Sequence, residues 1–209
     1  MANTPRRVML GALALLPALA LAPLARADVS TSAASAFITQ AGNQLLGVIN
    51  GPDSTAQKAA ALRGIVENIV AVDQVGQFVL GRYTNVATPA QKTEYMQLFH
   101  DLLAYNITAQ IRADKGITFK VNNAQAQPGG TVIVDTTVNR PSAAPTDVGW
   151  VVQDVSGSPK IVDVVVEGTS LRVTERSDYA SVIVSNGGQV SALLAAMQKQ
   201  VAHVKSLSQ

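Results

Sequence analysis

Two acidic residues, Asp163 and Glu167, are the first candidates for catalysis. They are four residues apart in an apolar segment, Lys160 to Leu171, that is predicted to be a β-strand. On a strand, residues at this spacing share one face but lie about 13 Å apart, at about 3.3 Å per residue. That separation exceeds the distance between the two carboxyl groups of a glycosidase. Solvent-facing or strand-end charges are therefore the simpler interpretation of the pair.

The two histidines of the chain, and Ser170 in the segment Lys160 to Leu171, form no recognisable catalytic or metal-binding motif. His100 is followed by Asp101, but adjacent residues cannot face each other on a helix. His203 lies near the C-terminus, and no HExxH or similar pattern accompanies either histidine. Ser170 follows Gly168 without the second glycine of a nucleophile elbow. Cysteine is absent, which excludes disulfides and thiolate ligands. Neither a cofactor nor a metal is therefore predicted.

The N-terminal 27 residues have the pattern of a secretory signal peptide. Arg6 and Arg7 precede an uncharged run over residues 8–25, and a small-x-small cleavage site ends at Ala27. The run is long enough to span a membrane, but two prolines within it and the cleavage site argue against an anchor. We expect cleavage after Ala27 and a single exported domain over residues 28–209. The sequence does not distinguish Sec export from twin-arginine export.

Charge does not favour a nucleic-acid partner. The full chain has 16 Lys+Arg and 14 Asp+Glu, a net charge of +2. The signal peptide holds three arginines and no acidic residue, so the remaining chain carries 13 basic and 14 acidic residues. No basic run or RNA-binding motif remains there. We therefore predict no nucleic-acid binding.

Helices are predicted for the first half of the chain. Apolar residues recur at helical spacing, and Thr88 followed by Pro89 is a typical helix start. The helix from there to about Arg112 has apolar residues on two sides, which predicts a position between a sheet and a layer of helices. Its two stripes are Met96, Phe99, Leu103, Ile107 and Tyr95, Leu98, Leu102, Tyr105. The other predicted helices run over about residues 35–49, from Asp53 or Ser54 to Val70, and over 73–83.

Alternating residues in the second half predict strands. Four strands are predicted over residues 117–125, 131–140, 147–155 and 160–167, and the second to fourth are joined closely enough for an antiparallel meander. Helices over 175–185 and 189–204 follow. The fold class is α+β: a curved four-stranded antiparallel sheet packed against a helical layer, with an apolar cavity between them. Pattern alone does not distinguish a cavity from a filled core. The apolar face comprises Val132, Val134, Val138, Trp150, Val152, Val162, Val164 and Val166.

Several motifs, in order along most of the chain, carry a family resemblance. They are Leu80-Gly81-Arg82-Tyr83, Thr88-Pro89-x-Gln91-Lys92, the block Ile161 to Leu171 with Asp-Val-x-Val-Glu-Gly-x-Ser-Leu, and Arg176-Ser177-Asp178-Tyr179. The sequence resembles the MlaC family of periplasmic phospholipid-binding proteins, also called toluene-tolerance auxiliary proteins. Family members usually carry a tryptophan just before the Ile161 block. Here Ser158-Pro159 stands in that place and Trp150 lies in the preceding strand.

The resemblance implies a periplasmic carrier of diacyl phospholipid. It would be the soluble component of an ABC-type lipid transport system that maintains outer-membrane lipid asymmetry. Its partners would be an outer-membrane lipoprotein complex and an inner-membrane ABC transporter. Exposing two acyl chains to water costs on the order of 20 kcal/mol, at about 0.8 kcal/mol per CH₂, so a carrier must enclose them. The expected lipid-binding residues are Phe78, Tyr83, Met96, Phe99, Leu103, Val134, Trp150, Val152, Val164 and Val166.

Two other functions remain open. An enzyme on a cone-shaped α+β scaffold could use a buried Asp135 or Asp163 as general base. A periplasmic interaction module with a filled core would bind no ligand.

Overall fold

The computed structural model describes residues 28–112, 116–141 and 143–206. Within these residues it contains six α-helices, a short 3₁₀ helix and one five-stranded antiparallel sheet, which confirms the predicted α+β class. The predicted signal peptide lies outside the described residues. The helices are α1 (Thr31–Asn50), α2 (Thr55–Ile69), α3 (Val72–Leu80), the 3₁₀ helix Gly81–Asn85, α4 (Pro89–Arg112), α5 (Leu171–Ser185) and α6 (Val190–Ser206).

Helix starts follow the local sequence signals. The Thr88 hydroxyl accepts a hydrogen bond from the Gln91 amide at 3.2 Å, and the Gln91 side chain accepts from the Thr88 amide at 3.0 Å. Ser54 and Gln57 form the same reciprocal capping box at α2, which satisfies otherwise unpaired amides of the first turn. The predicted starts at Thr88–Pro89 and at Ser54 are confirmed. Helix α5 begins four residues before the predicted position because Ser170 caps it.

The sheet is a meander in the order β1-β2-β3-β4-β5. Its fifth strand is only two residues long and pairs with the end of β4, so the prediction of four strands was wrong in its count. Strand β3 begins before Asp147, in a segment predicted to be a loop. The strands are β1 (Thr118–Gln127), β2 (Thr131–Arg140), β3 (Ala143–Val155), β4 (Ser158–Val166) and β5 (Thr169–Ser170).

A β-bulge at Val162 changes which residues of β4 share a face. Val152 pairs with Ile161 and Val151 pairs with Asp163, so Val162 is the extra residue. Because strand faces alternate with a period of two, one inserted residue shifts the pattern. Ile161, rather than the predicted Val162, lies in the row opposite Val152. Val164 keeps its predicted face, opposite Trp150.

Helix α1 makes the most extensive helix contact with the sheet, where it packs on β1 and β2, whereas α2, α3 and α5 contact β4. Helix α4 packs instead among α2, α3 and α6. The prediction that α4 lies between the sheet and a helical layer was therefore wrong, because helices supply the contacts on both of its apolar stripes. Ile107 lies outside the described side chains. In the described ranges, no helix is both long enough and apolar enough to cross a membrane.

Candidate functional site

The apolar face of the sheet and the helix that covers it form one of two hydrophobic cores. We call it the sheet cluster. Small and branched residues of α1 and Ile69 of α2 form one cluster with buried residues of β2, β3 and β4, and the small side chains allow the α1 backbone to approach the sheet closely. The buried members of the sheet cluster are Ala34, Ile38, Ala41, Ile69, Val132, Val134, Val152 and Ile161.

Half-buried apolar side chains surround the sheet cluster. We call them its margin. They come from both the sheet and the two helices above it, so the apolar surface extends beyond the part that the protein itself closes. Burial of such a surface by a ligand is favourable by about 25 cal/mol per Å². The margin comprises Val29, Phe37, Leu45, Ile65, Val70, Val121, Ala124, Trp150 and Val164.

Trp150 is held in this margin by a polar contact inside the sheet. Its Nε1 donates a hydrogen bond to the Thr136 hydroxyl at 2.9 Å. That hydroxyl donates in turn to the Val148 carbonyl oxygen at 3.0 Å. Thr136 is 1% exposed, so the indole proton is satisfied by a fixed partner within the protein. Sequence reasoning placed Trp150 in the site but missed Thr136, which looks like any other inward residue of an alternating strand.

The ten residues expected to bind lipid fall into two groups. Val134 and Val152 are fully buried in the sheet cluster, and Trp150 and Val164 lie in its margin. Val166 is half-buried and pairs with Val148 and Thr169 at the end of β4.

The remaining five belong to the other core, which the helices form. Phe99 is buried there, and the other four pack against its edge while partly exposed: Phe78, Tyr83, Met96 and Leu103. The structure thus does not bring all ten residues into one cluster. Val70, between α2 and α3, packs against both cores.

An open recess of about 590 Å³ lies along the outer side of α1. Four of its five lining residues are polar, and none of the five is among the ten expected lipid-binding residues. Two acyl chains need a pocket nearer 1,000 Å³, at the upper end of the usual range of about 300–1,000 Å³. The recess is formed by Ala36, Thr39, Gln40, Asn43 and Gln44.

Asp163, a candidate general base from the sequence, is a structural anchor. Its Oδ1 accepts hydrogen bonds from the amides of Val164 at 2.8 Å and Arg172 at 3.2 Å. Its Oδ2 accepts from the Ser170 hydroxyl at 2.6 Å. The Arg172 Nε lies 3.3 Å from the same oxygen, an ion pair without hydrogen-bond alignment. Both oxygens of this buried carboxylate are therefore engaged by the protein itself.

The Glu167–Gly168 pair makes the turn that brings Ser170 back to Asp163. Both residues have positive φ, +47° and +79°, which is the geometry of a tight two-residue hairpin turn and explains the glycine. Glu167 is fixed because its Oε1 accepts a hydrogen bond from the Asp147 amide at 3.1 Å. The Asp-Val-Val-Val-Glu-Gly-Thr-Ser block is thus one structural unit that joins β4 to α5.

Arg172 connects this unit to the helical core through Phe78. The Arg172 guanidinium lies 4.4 Å from the centre of the Phe78 ring, and that of Arg176 lies 5.0 Å from it. Gly81 leaves room for Arg176, because a Cβ there would be 2.8 Å from the Arg176 Nε. The motifs Leu80–Tyr83 and Arg176–Tyr179 therefore meet where Arg176 packs against Gly81, next to its cation–π contact with Phe78.

Two buried tyrosines occupy the centre of the helical core. The Tyr95 hydroxyl donates to the Gly76 carbonyl at 3.0 Å, and its ring meets Tyr179 edge to face. Burial raises the pKa of both tyrosines well above the ordinary value, and the nearby Glu175 charge raises each further. Ionised tyrosine is strongly disfavoured here, so these groups contribute packing rather than acid–base chemistry at neutral pH.

His100 and Lys205 each pair with an aspartate on another helix, near the protein surface. His100 Nε2 lies 2.8 Å from Asp73 Oδ1, and Lys205 Nζ lies 3.4 Å from Asp101 Oδ2. Across the described ranges, no three His, Asp or Glu residues are arranged to hold a metal ion.

The chain shares its fold with a solved α+β protein. It is similar to the phospholipid-binding protein from Ralstonia solanacearum, whose structure was solved in complex with a phospholipid. The TM-score is 0.73 and the sequence identity 23%, over 82% of this chain and 98% of that chain.

Sequence assigns the chain more narrowly than fold does. Residues 39–199 match the MlaC protein family. The chain belongs to the MlaC family, which confirms the resemblance carried by its motifs.

Proposed function

We propose that this protein is a periplasmic phospholipid carrier that holds acyl chains against the sheet cluster and its margin. The observation that carries the proposal is the margin itself, in a chain of the MlaC family. Phe37, Leu45 and Ile65 from the helices and Trp150 and Val164 from the sheet all pack against the sheet cluster and are only partly buried. Bound acyl chains would cover the apolar surface of these side chains that the protein itself leaves exposed. The phospholipid complex of the Ralstonia solanacearum protein supports this ligand class.

Acyl chains need more room than the sheet cluster leaves at present. Val134 and Val152 are 0% exposed, so a chain that reaches them must displace α1 from the sheet. The contacts of α1 with the sheet involve small side chains such as Ala34 and Ala41, each of which loses little buried area when the helix moves. The five helical-core residues of the predicted site contact lipid only if the tails also pass Val70.

Transport is the second part of the proposal. A carrier of this kind accepts phospholipid from an outer-membrane lipoprotein complex and delivers it to an inner-membrane ABC transporter, or the reverse. Enclosure of the acyl chains removes the cost of exposing them to water during transit, which is on the order of 20 kcal/mol for two chains.

Lipid extraction tests the binding proposal. The protein is purified from the periplasm of a native host without detergent, extracted with organic solvent and analysed by mass spectrometry. We expect phospholipid in close to molar proportion to protein. Absence of phospholipid, combined with no uptake from phospholipid vesicles, would refute binding. Transfer of labelled phospholipid between two vesicle populations, in protein excess and with a heat-denatured control, tests carriage separately.

A further inference from the structure

Trp150 combines a fixed orientation with an exposed apolar ring. It is the only tryptophan of the chain. Across the strands it pairs with Val134 on one side and Val164 on the other. Its ring is half-buried in the margin of the sheet cluster, whereas Val134 beside it is completely buried. The ring is therefore the largest side chain of the sheet that both lies on the apolar face and retains open surface.

The direction of the hydrogen bonds fixes the indole. An indole N–H can only donate, and a threonine hydroxyl has one proton to give. Thr136 gives that proton to the Val148 carbonyl, so its lone pair is available for Trp150 Nε1. No alternative assignment satisfies both contacts. The polar edge of the indole thus points into the sheet, and only carbon atoms of the ring remain for a ligand.

We infer that Thr136 is a positioning residue for lipid and that it acts through Trp150, which contacts acyl chains and not the head group. Tryptophans at membrane surfaces usually turn their N–H towards the polar head-group region. Here the N–H is occupied within the protein, so the ring meets methylene groups without leaving an unsatisfied donor. The inference rests on the proposed function and adds the part of the lipid that meets this residue.

Quenching of the single tryptophan by brominated lipid tests the contact. The purified protein is incubated with vesicles of one of three kinds of phospholipid and is then re-isolated by gel filtration. The phospholipid is brominated on an acyl chain (near the carbonyl, mid-chain or near the methyl end), brominated in the head group, or unbrominated. Bound phospholipid is counted by mass spectrometry before emission is recorded. We expect strong loss of Trp150 emission with the acyl-brominated lipid and none with the matched unbrominated lipid.

The outcomes separate the inference from the proposed function. Bound lipid without quenching, with bromine placed near the carbonyl, mid-chain or near the methyl end, overturns the acyl contact and leaves carriage intact. No bound lipid of either kind refutes the proposed function, and the inference falls with it. Quenching only by lipid brominated in the head group places the indole at the wrong end and also overturns the inference.

Variants test the role of Thr136. Thr136→Val keeps the shape but removes the hydroxyl. Because an indole that is no longer held in place must be ordered when lipid binds, we expect lipid affinity to fall about tenfold. The emission maximum and the bromine position that quenches best should also change. Thr136→Ser keeps the hydroxyl and should match the wild type in both measurements. Unchanged affinity and quenching in Thr136→Val would overturn the positioning role.

A double-mutant cycle distinguishes positioning from general stability. Trp150→Phe removes the indole donor, so Thr136→Val should have no further effect on lipid affinity in that background. A purely structural role would lower affinity equally in both backgrounds and would overturn the inference. If Thr136→Val does not fold, Thr136→Ser tests the positioning role instead. Its quenching profile must then coincide with that of the wild type.

Discussion

The Ser170 hydroxyl donates a hydrogen bond of 2.6 Å to Asp163 Oδ2 and accepts one of 3.2 Å from the Val173 amide. One side chain therefore both caps α5 and ties the start of that helix to β4. The hairpin turn at Glu167–Gly168 reverses the direction of the chain, so that Ser170 lies beside Asp163. The spacing of Asp163 and Ser170 in the family motif thus has a structural explanation that does not involve catalysis.

Removal of the Asp163 carboxylate should strongly destabilise the protein. Asp163→Ala would leave the Ser170 hydroxyl and the Val164 and Arg172 amides without their acceptor, and the partly buried Arg172 guanidinium without its counter-ion. Breaking a buried ion pair from one side costs about 3–5 kcal/mol. Urea unfolding followed by circular dichroism measures the loss.

Asp178→Ala is the matched control for this prediction, because it removes an exposed carboxylate from the same helix. Surface substitutions of this kind usually change stability by less than about 0.5 kcal/mol. Equal effects of the two substitutions would show that Asp163 is not the anchor described above.

Alkaline pH should destabilise the protein through its two buried tyrosines. The folded-state pKa values of Tyr95 and Tyr179 are raised by burial and by Glu175, whereas the unfolded chain titrates near the ordinary value of about 10. Above that pH the unfolded state loses protons that the folded state retains, so stability falls as pH rises. Below it, the two residues cause no pH dependence. Each tyrosine contributes a slope of about 1.4 kcal/mol per pH unit.

Urea midpoints measured at intervals above neutral pH test this slope. Tyr179→Phe should remove one of the two contributions and Tyr95→Phe the other. The double variant should show the smallest dependence of stability on pH. A wild-type stability that stays constant well above the ordinary tyrosine pKa would contradict the prediction.

The sequence was sufficient to predict the elements because each has a local cause. Thr88 and Ser54 mark helix starts through their side chains, and alternation marks β2 without error in its bounds. The bulge at Val162 could not be predicted in this way. It depends on contacts that are distant in the chain, namely the bridge from Val70 to Ile161 and the hydrogen bond from the Arg172 amide to Asp163.

The candidate site was predicted less completely because periodicity identifies buried faces but not their partners. Helix α4 has two apolar stripes, and either could have met the sheet. Its neighbours are instead α2, α3 and α6, so Met96, Phe99 and Leu103 lie in a different core from Val134 and Val152. The amphipathic pattern of α1 was equally visible in the sequence, and nothing local distinguishes a helix that covers a sheet from one that packs on helices.

Glycine substitutions in α1 should show how closely that helix contacts the sheet. A Cβ at Gly42 would overlap the Phe119 ring, whereas a Cβ at Gly47 would meet nothing within 4 Å. Gly47→Ala should stabilise by about 0.5–1 kcal/mol through helix propensity. Gly42→Ala should destabilise by about 1–3 kcal/mol because the Phe119 ring must move. Thermal unfolding of both variants measures the difference, and a similar gain for both would indicate that α1 is not held against β1.

Adjacent valines on β4 provide the sharpest test of where lipid binds. Val164 pairs with Trp150 on the face of the sheet cluster, whereas Val165 pairs with Gly149 and faces the other way. Both side chains are half-buried, so Val164→Asp and Val165→Asp introduce the same charge at similar exposure. A carboxylate against acyl chains costs at least about 3 kcal/mol, which is about a hundredfold in affinity. We therefore expect detergent-free Val164→Asp protein to retain little phospholipid by mass spectrometry and Val165→Asp protein to retain the wild-type amount.

Circular dichroism of both variants confirms folding before the comparison. Loss of lipid from Val165→Asp alone would place the acyl chains on the opposite face of the sheet, and equal retention by both would remove β4 from the site.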